Sequence, residues 1–247
     1  MSEKIQLKYL TVDDIDFNEI LELILKSTLN KDPKIVFTPN AGHLTQLIKS
    51  KEIKEIYDSA DFNLIDGWPI ALAAKIKSKK QISRVTGSDL IPQLLTKLDS
   101  KTRVGIIGGQ NESELRKRIE NIFPQLNLQL VNCDTWSDST YDLRRLRELI
   151  QYNALSIVIL ALGHPKQEKI AYELKKFDWV GSKPDWILCV GASIDFITGT
   201  QKRAPKIFQK VGLEWFYRLI TNPKKFFLRY LNAVVPSIKL IIGSFFS

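Results

Sequence analysis

Short apolar segments alternate with longer amphipathic segments through most of the chain. The apolar segments are residues 34–37, 62–65, 103–107, 128–131, 154–162 and 185–190. Segments of this length predict buried strands, and the uninterrupted run 154–162 is typical of a central parallel strand covered on both faces. The segments between them repeat apolar residues at helical spacing. This alternation predicts an α/β fold with a Rossmann-like, mainly parallel sheet and helices on both of its faces.

The first sixteen residues predict a strand followed by the start of a helix. Residues 5–10 alternate weakly, as a short strand does, and residues 11–16 have the polar composition of a capped helix start. Asp14 and Asp16 also form a D-x-D sequence, by which many sugar-nucleotide enzymes hold a divalent metal. Acidic residues are favoured in the first turn of a helix, and no second carboxylate cluster accompanies this pair, so we interpret it as helix capping.

Polar residues follow the predicted strands at their carboxyl ends. They are Thr38, Asn40, Asp66, Gln167 and Asp195. In an open α/β sheet the ligand crevice lies outside the carboxyl ends of the strands, so we expect these side chains to meet at one rim. Structural roles remain open for several of them, because Asn and Thr cap helices routinely and Asp66-Gly67 is a common turn dipeptide.

Three further residues are candidates for contact with a ligand. Arg84 precedes a Thr-Gly-Ser-Asp helix start. The arginine offers a guanidinium, and the helix start offers backbone N–H groups, to an anion. Gly108 belongs to a Gly-Gly pair after a strand, which is a weak nucleotide-binding signal without the full G-x-G-x-x-G. Trp136 follows a strand and could stack on a base or a sugar, although burial against the sheet is an equal alternative.

The composition is that of an ordinary globular protein. The chain has 247 residues, of which 44% are hydrophobic and 26% charged, so it can bury a sizeable core. Cys133 and Cys189 lack the C-x-x-C spacing of zinc sites and redox motifs. Because the polar N-terminal segment also lacks the pattern of a signal peptide, we expect a cytoplasmic location.

The net charge of +9 is concentrated at one end of the chain. Residues 202–247 contain nine basic residues and one acidic residue, Glu214. Such asymmetry suggests an anionic partner. We therefore predict a Rossmann-like catalytic domain, residues 1–200, and a basic, aromatic-rich, helical C-terminal appendage, residues 201–247.

The appendage has the pattern of a helix that lies on an anionic membrane surface. Residues 231–246 are apolar but carry Pro236 and Lys239. These sixteen interrupted residues are fewer than the about 20 that span a bilayer. We therefore expect peripheral association with the inner face of the cell membrane. The alternative is a helical hairpin that packs on its own domain.

Six separate motifs, in the same order and over nearly the whole chain, resemble the WecG/TagA/CpsF glycosyltransferases. They are Thr38-Pro39-Asn40, Asp66-Gly67-Trp68-Pro69, Arg84-Val85-Thr86-Gly87-Ser88-Asp89, Gly163-His164-Pro165-Lys166-Gln167-Glu168, Asp195-Phe196-Ile197-Thr198-Gly199, and Arg203-Ala204-Pro205 with Glu214, Trp215 and Arg218. Two features depart from the family pattern. Trp68 stands where a smaller or different residue is frequent, and a lysine pair after Pro223 replaces the commoner arginines, which loses bidentate phosphate geometry.

The resemblance implies an inverting, metal-independent transfer of a sugar from a UDP-sugar to an undecaprenyl-diphosphate-linked sugar. The best-known members move N-acetylmannosamine onto lipid-linked N-acetylglucosamine for wall teichoic acid. Others use a different UDP-sugar, such as a uronic acid or a hexose, for capsule or exopolysaccharide. The resemblance also implies that Asp66 is the general base and that Thr38, Asn40, Arg84 and Gln167 line the pocket. It implies no cofactor, and it leaves open whether the subunits form a homo-oligomer.

This reaction needs a base for the acceptor hydroxyl and positive charge beside the departing UDP. Asp66 is ionised at neutral pH if its pKa is near the free value of about 3.9, so it can accept the proton. Arg203, Arg218 and Arg229 are our candidates for stabilising the diphosphate as it leaves.

Two interpretations come from other functional classes. The basic, aromatic-rich appendage would suit a nucleic-acid-binding module, but this leaves the polar strand ends unexplained. A nicotinamide-dependent oxidoreductase would need G-x-G-x-x-G and an acidic residue about 20 positions later, which the sequence lacks.

Overall fold

The computed structural model of the protein describes residues 2–26, 32–134, 136–137, 139–210 and 212–246, without the side chains of residues 141, 210, 225 and 246. Its strands are β1 (Glu3–Gln6), β2 (Thr11–Asp14), β3 (Lys34–Phe37), β4 (Phe62–Asn63), β5 (Val104–Gly108), β6 (Leu128–Asn132), β7 (Ile157–Ala161) and β8 (Trp186–Cys189). Its helices are α1 (Phe17–Leu25), α2 (Ala41–Lys49), α3 (Lys51–Asp58), α4 (Trp68–Ser78), α5 (Gly87–Lys97), α6 (Glu112–Ile122), α7 (Thr140–Tyr152), α8 (Lys166–Lys176), α9 (Ser193–Ile197), α10 (Lys206–Lys210), α11 (Glu214–Thr221) and α12 (Pro223–Phe246).

Six strands form one parallel sheet in the order β4-β3-β8-β7-β5-β6. Phe37 pairs with Cys189, which pairs with Leu160, so the carboxyl ends of β3, β8 and β7 lie level with one another. The turns that follow these strands therefore share one rim. The predicted α/β, Rossmann-like fold with a helical C-terminal segment is confirmed.

Alternate residues of the strands face two separate hydrophobic clusters. Phe37 and Leu160 pack with residues of α2, α3, α4, α7 and α8 on one face. Val36 and Ile159 pack with residues of α1, α5, α6 and α9 on the other. Because both faces are covered, the central strands are apolar at every position.

The prediction for residues 11–14 was wrong, because they form strand β2 rather than the start of a helix. β2 pairs with β1 in an antiparallel hairpin, and buried Asp13 accepts a hydrogen bond of 2.8 Å from the backbone N–H of Asn63. This contact with β4 is a tertiary interaction that outweighs the local helix signals. Asp16 does cap α1, whereas Asp14 accepts a hydrogen bond from the N–H of Ser83 instead.

The C-terminal helix α12 runs from Pro223 to Phe246. It has 24 residues, and its segment Phe226–Phe245 is long and apolar enough, by length and composition, to cross a membrane. The argument that only sixteen residues are available to span a bilayer therefore does not hold, because the helix that contains residues 231–246 begins at Pro223. α12 packs against α2 and α4. Its buried residues recur along its whole length, at Phe226, Ala233, Pro236, Leu240 and Ser244. The domain boundary at residue 200 stays a prediction.

Candidate active site

A cavity of about 300 Å³ lies beyond the carboxyl ends of β3 and β4. Its walls come from the turn between β3 and α2, the segment from Asp66 to α4, the start of α5, and the inner faces of α11 and α12. Both charged and apolar residues line it, with Trp68, Trp215 and Ile238 among the apolar ones. The position agrees with the rule that ligands bind at the carboxyl edge of an open α/β sheet.

Two turns of the main chain meet closely at this edge. The N–H of Gly67 donates a hydrogen bond of 3.2 Å to the carbonyl of Pro39. A Cβ atom on residue 67 would lie 2.7 Å from the Cα of Asn40, so only glycine permits this approach. Asn40 accepts a hydrogen bond of 3.0 Å from the N–H of Gly42 and thereby caps α2. Asn40 both starts the helix and lines the cavity.

Asp66 lines the cavity together with Glu214, Arg84 and Arg218, whose charges act on its carboxyl group. Burial raises its pKa from 3.8 to about 7. Glu214 raises the pKa as well, whereas Arg84 and Arg218 lower it. Asp66 is therefore divided between its acid and base forms near neutral pH, which is the range in which a general base works best.

Three arginines line the same cavity as Asp66. Arg84 donates hydrogen bonds to the backbone carbonyls of Asp66, at 3.4 Å, and Gln209, at 3.2 Å. Arg218 pairs with Glu214 at 2.8 Å, and its guanidinium lies 4.7 Å from the ring centre of Phe196. The third arginine, Arg229, comes from α12.

The guanidinium of Arg229 rests against the first turn of α2. A Cβ atom on Gly42 would lie 2.6 Å from its Nε atom and 2.8 Å from its Nη2 atom. The N-terminus of a helix carries partial positive charge, so it repels a cation and attracts an anion. Burial lowers the pKa of Arg229, and Arg218 lowers it further. Positive groups are thus gathered in a place that favours an anionic ligand.

Arg203 belongs to a different part of the rim from the other predicted arginines. It pairs with Asp89 at 2.8 Å and donates a hydrogen bond of 3.1 Å to the carbonyl of Ser88. Ser88 lines the cavity, but Arg203 does not. Its contacts fix the segment after α9 to the first turn of α5.

Thr38 and Gln167 are buried behind the cavity rather than exposed in it. The hydroxyl of Thr38 donates a hydrogen bond of 3.1 Å to the carbonyl of Cys189. The amide of Gln167 donates a hydrogen bond of 3.0 Å to Glu168, and its oxygen accepts one of 3.2 Å from the N–H of Gly191. Both polar ends of Gln167 are therefore used to hold neighbouring turns together.

Three other predicted residues lie away from the cavity. Gly108 ends β5, where a Cβ atom would lie 2.5 Å from the carbonyl oxygen of Ala161, so its glycine serves strand packing. Trp136 is 1% exposed in the core, which agrees with the alternative of burial rather than stacking on a ligand. Asp195 accepts a hydrogen bond of 3.0 Å from Gln201 in the segment after α9. We leave these three residues out of the site proposed below.

The sequence model described as "Glycosyl transferase WecG/TagA/CpsF family" matches residues 5–246, nearly the whole chain. The chain belongs to this family. Membership makes the protein a glycosyltransferase and implies a sugar donor and an acceptor. The cavity at the rim of the sheet is therefore the candidate active site of a WecG/TagA/CpsF glycosyltransferase.

A buried group beneath this glycosyltransferase site has ligand types that bind metals. His43, His164 and Glu168 offer ligand atoms within 4.8 Å of one another. The two imidazole rings are stacked, with centres 4.2 Å apart and planes inclined by 20°. Ring nitrogen lone pairs lie in the ring plane, so nearly parallel rings do not aim them at one ion. Nδ1 of His43 also lies 2.9 Å from the hydroxyl of Tyr57. We assign no metal to this group.

Sequence reasoning missed several residues of the cavity. Glu214, Trp215 and Tyr230 line it, although none of them was chosen as a site residue. The spacing of Glu214 and Arg218, four residues apart, was a signal for an ion pair on one helix face. No comparable local signal places the ring of Tyr230 at the cavity, because this depends on how α12 folds back onto α2.

Proposed function

We propose that the protein transfers a sugar from a UDP-sugar to a polyprenyl-diphosphate-linked sugar, by one displacement that inverts the anomeric carbon. N-acetylmannosamine and lipid-linked N-acetylglucosamine are the donor sugar and acceptor that we expect. The main support is the Asp66 carboxyl group, with a pKa of about 7, in a cavity that also receives Arg84, Arg218 and Arg229. A tuned base beside clustered positive charge suits attack by a hydroxyl and departure of a diphosphate.

In this mechanism Asp66 takes the proton of the acceptor hydroxyl as its oxygen attacks the anomeric carbon. The new glycosidic bond forms while the bond from that carbon to the β-phosphate oxygen of UDP breaks. Arg218 and Arg229 neutralise the charge that develops on the departing UDP. Asn40 and Arg84 hold the sugar and a phosphate in place, which lowers the entropic part of the barrier.

A comparison of donors tests this proposal. UDP-N-acetylmannosamine, UDP-N-acetylglucosamine, UDP-glucose and UDP-glucuronic acid are incubated separately with the protein and lipid-linked N-acetylglucosamine, and product is measured by mass spectrometry. We expect the first donor to react fastest and to give a product of inverted anomeric configuration by NMR. Faster reaction of UDP-glucuronic acid or UDP-glucose would reassign the donor. A retained configuration would contradict the single displacement.

The C-terminal helix supports peripheral association with the membrane rather than a spanning arrangement. Its buried residues extend from Phe226 to Ser244, so the whole helix rests on the body of the protein. Its outer face is apolar, with Leu228 66% and Leu231 56% exposed. At its far end, exposed Phe245 shares a shallow pocket with Lys75 of α4 and with Lys79 and Lys80, which follow α4. An apolar face bordered by lysines suits a helix lying at the level of lipid head groups.

Replacing Leu228 and Leu231 together by Gln is expected to weaken binding to vesicles with anionic lipids at least about tenfold, because each leucine loses part of the about 1.5–3 kcal/mol gained on burial. Sedimentation with phosphatidylglycerol vesicles measures this. Tyr152→Gln changes an apolar side chain that is 89% exposed on α7 and serves as the control. Equal binding of the double variant and wild type would contradict the assignment of this face.

Removal of divalent metal is expected to leave sugar transfer unchanged, because arginines rather than an ion face the diphosphate in this mechanism. The measurement is the transfer rate after dialysis against EDTA, with and without added Mg²⁺ or Zn²⁺. A loss that either ion restores would contradict the metal-independent mechanism.

A further inference from the structure

A buried polar network lies directly behind the part of α2 that Arg229 contacts. Glu168 is fully buried, and its Oε1 atom accepts hydrogen bonds from Gln167, at 3.0 Å, and Tyr57, at 3.5 Å. The same Tyr57 hydroxyl lies 2.9 Å from Nδ1 of His43. The other carboxylate oxygen of Glu168 lies 3.2 Å from Nδ1 of His164. The network thus joins α3, α8 and the start of α2.

The network ends at His43, one residue after the residue that Arg229 contacts. His43 directly follows Gly42, against which the guanidinium rests. Burial lowers the pKa of His43 well below its usual range, and His164 and Arg229 lower it further, so His43 supplies no positive charge to the network. A fully buried carboxylate beside a neutral imidazole attracts the nearest cation strongly, because the interior screens charges poorly.

Arg229 needs such an attraction to stay where it is. Its guanidinium lies against Gly42, but Arg229 as a whole residue is exposed. The long side chain therefore has room to turn towards solvent. The first turn of α2 and Arg218 both repel it. Burial lowers its pKa, whereas Tyr230 and Glu168 raise it. Tyr230 and, behind α2, Glu168 therefore favour the charged guanidinium in this position.

We propose that Glu168 is a positioning residue, whose buried negative charge holds the guanidinium of Arg229 against the first turn of α2. The carboxylate acts from behind the helix and does not itself reach the cavity. This inference rests on the proposed function, because it assigns Arg229 to a diphosphate. It explains why the site combines a buried acid, a glycine at residue 42 and an arginine from the last helix.

A double-mutant cycle tests the proposal, with UDP binding to the full-length protein measured by isothermal titration calorimetry. Glu168→Gln keeps the size of the side chain and removes its charge. We expect it to weaken UDP binding about tenfold in the wild-type background and not at all in the Arg229→Gln background, since coupled pairs deviate from additivity in this range. Glu173→Gln, the same change at a half-exposed position of α8, is the control and should bind UDP normally.

The cycle separates positioning from general loss of structure. A purely structural role would weaken UDP binding equally with and without Arg229, and that result would overturn the proposal. Unchanged binding by Glu168→Gln would overturn it too, while leaving the proposed function standing. Wild-type protein that fails to bind UDP would contradict the proposed function and remove the basis of this inference with it.

A second variant changes the contact between Arg229 and residue 42 and leaves the residues of the buried network unchanged. In Gly42→Ala the new methyl group occupies the place of the Arg229 guanidinium and pushes it aside. Alanine is the better helix former, so thermal stability should not fall. We expect UDP binding about tenfold weaker, as for Glu168→Gln, with little further loss when both changes are combined. Normal UDP binding by Gly42→Ala would contradict the need for this position of Arg229.

Discussion

Asp66→Asn is expected to lower the rate of sugar transfer by about 10²–10⁴-fold, the usual contribution of a general base. Asparagine has the same shape but cannot accept the proton of the acceptor hydroxyl. UDP binding should stay close to that of the wild type, because the three arginines of the cavity are unchanged. Steady-state kinetics and calorimetry with UDP measure the two effects. Unimpaired transfer by the variant would remove Asp66 as the base.

The pH dependence of wild-type transfer should report the same group. Because the base form of Asp66 is required and its pKa is about 7, kcat/KM should fall tenfold per pH unit well below 7 and level off above it. Asp66→Asn should lose this limb, so that its residual rate is nearly independent of pH between 5 and 8. A wild-type limb centred near pH 4 would mean that the carboxyl group is not perturbed during catalysis.

The same shift makes Asp66 a cost to stability at neutral pH. Its pKa is higher in the folded protein than in the unfolded chain, so the contribution to stability is complete below about pH 4. It is lost as the pH rises through about 7. The whole shift corresponds to about 4 kcal/mol, and contact with water in the cavity reduces this to about 1–2 kcal/mol. Asp66→Asn should therefore melt at a higher temperature than wild type at pH 8 and at the same temperature near pH 4.

The sheet and the position of the site followed from local patterns. Apolar runs of strand length predicted β3, β7 and β8, and polar residues at their ends predicted the rim on which Asp66 and Asn40 meet. The same reasoning also placed Thr38 and Gln167 in the pocket. These two point into the protein, because a residue's place at a strand end does not determine which way its side chain turns.

The positions of α11 and α12, the two helices that cover the site, were less predictable. α12 is apolar on two faces, one packed on α2 and α4 and the other exposed, so its periodicity could not tell core packing from membrane contact. Glu214 and Tyr230 enter the cavity only because the last two helices fold back across the rim. β2 was misassigned for a related reason, since the burial of Asp13 against β4 is a contact between residues distant in sequence.

Arg218→Gln is expected to lower kcat by about 10²–10³-fold, as loss of one group that stabilises developing charge does. It should also move the acidic limb of the pH profile upwards, because Arg218 lowers the pKa of Asp66 and its removal lets that pKa rise above 7. Glu214→Gln should move the limb downwards, since Glu214 raises the same pKa. Rate profiles between pH 5 and 9 measure both shifts.

Opposite shifts from the two members of one ion pair would be difficult to obtain from general disruption of the site. Disorder in α11 would impair both variants. It would either move the acidic limb in the same direction in both or leave it in place in both. Glu120→Gln removes an acid from another pair four residues apart, Arg116 and Glu120 on α6, and should leave the profile unchanged. If neither Arg218→Gln nor Glu214→Gln displaced the limb, the group that titrates in catalysis would not be the carboxyl group that these two residues face. The base would then have to be sought elsewhere in the cavity.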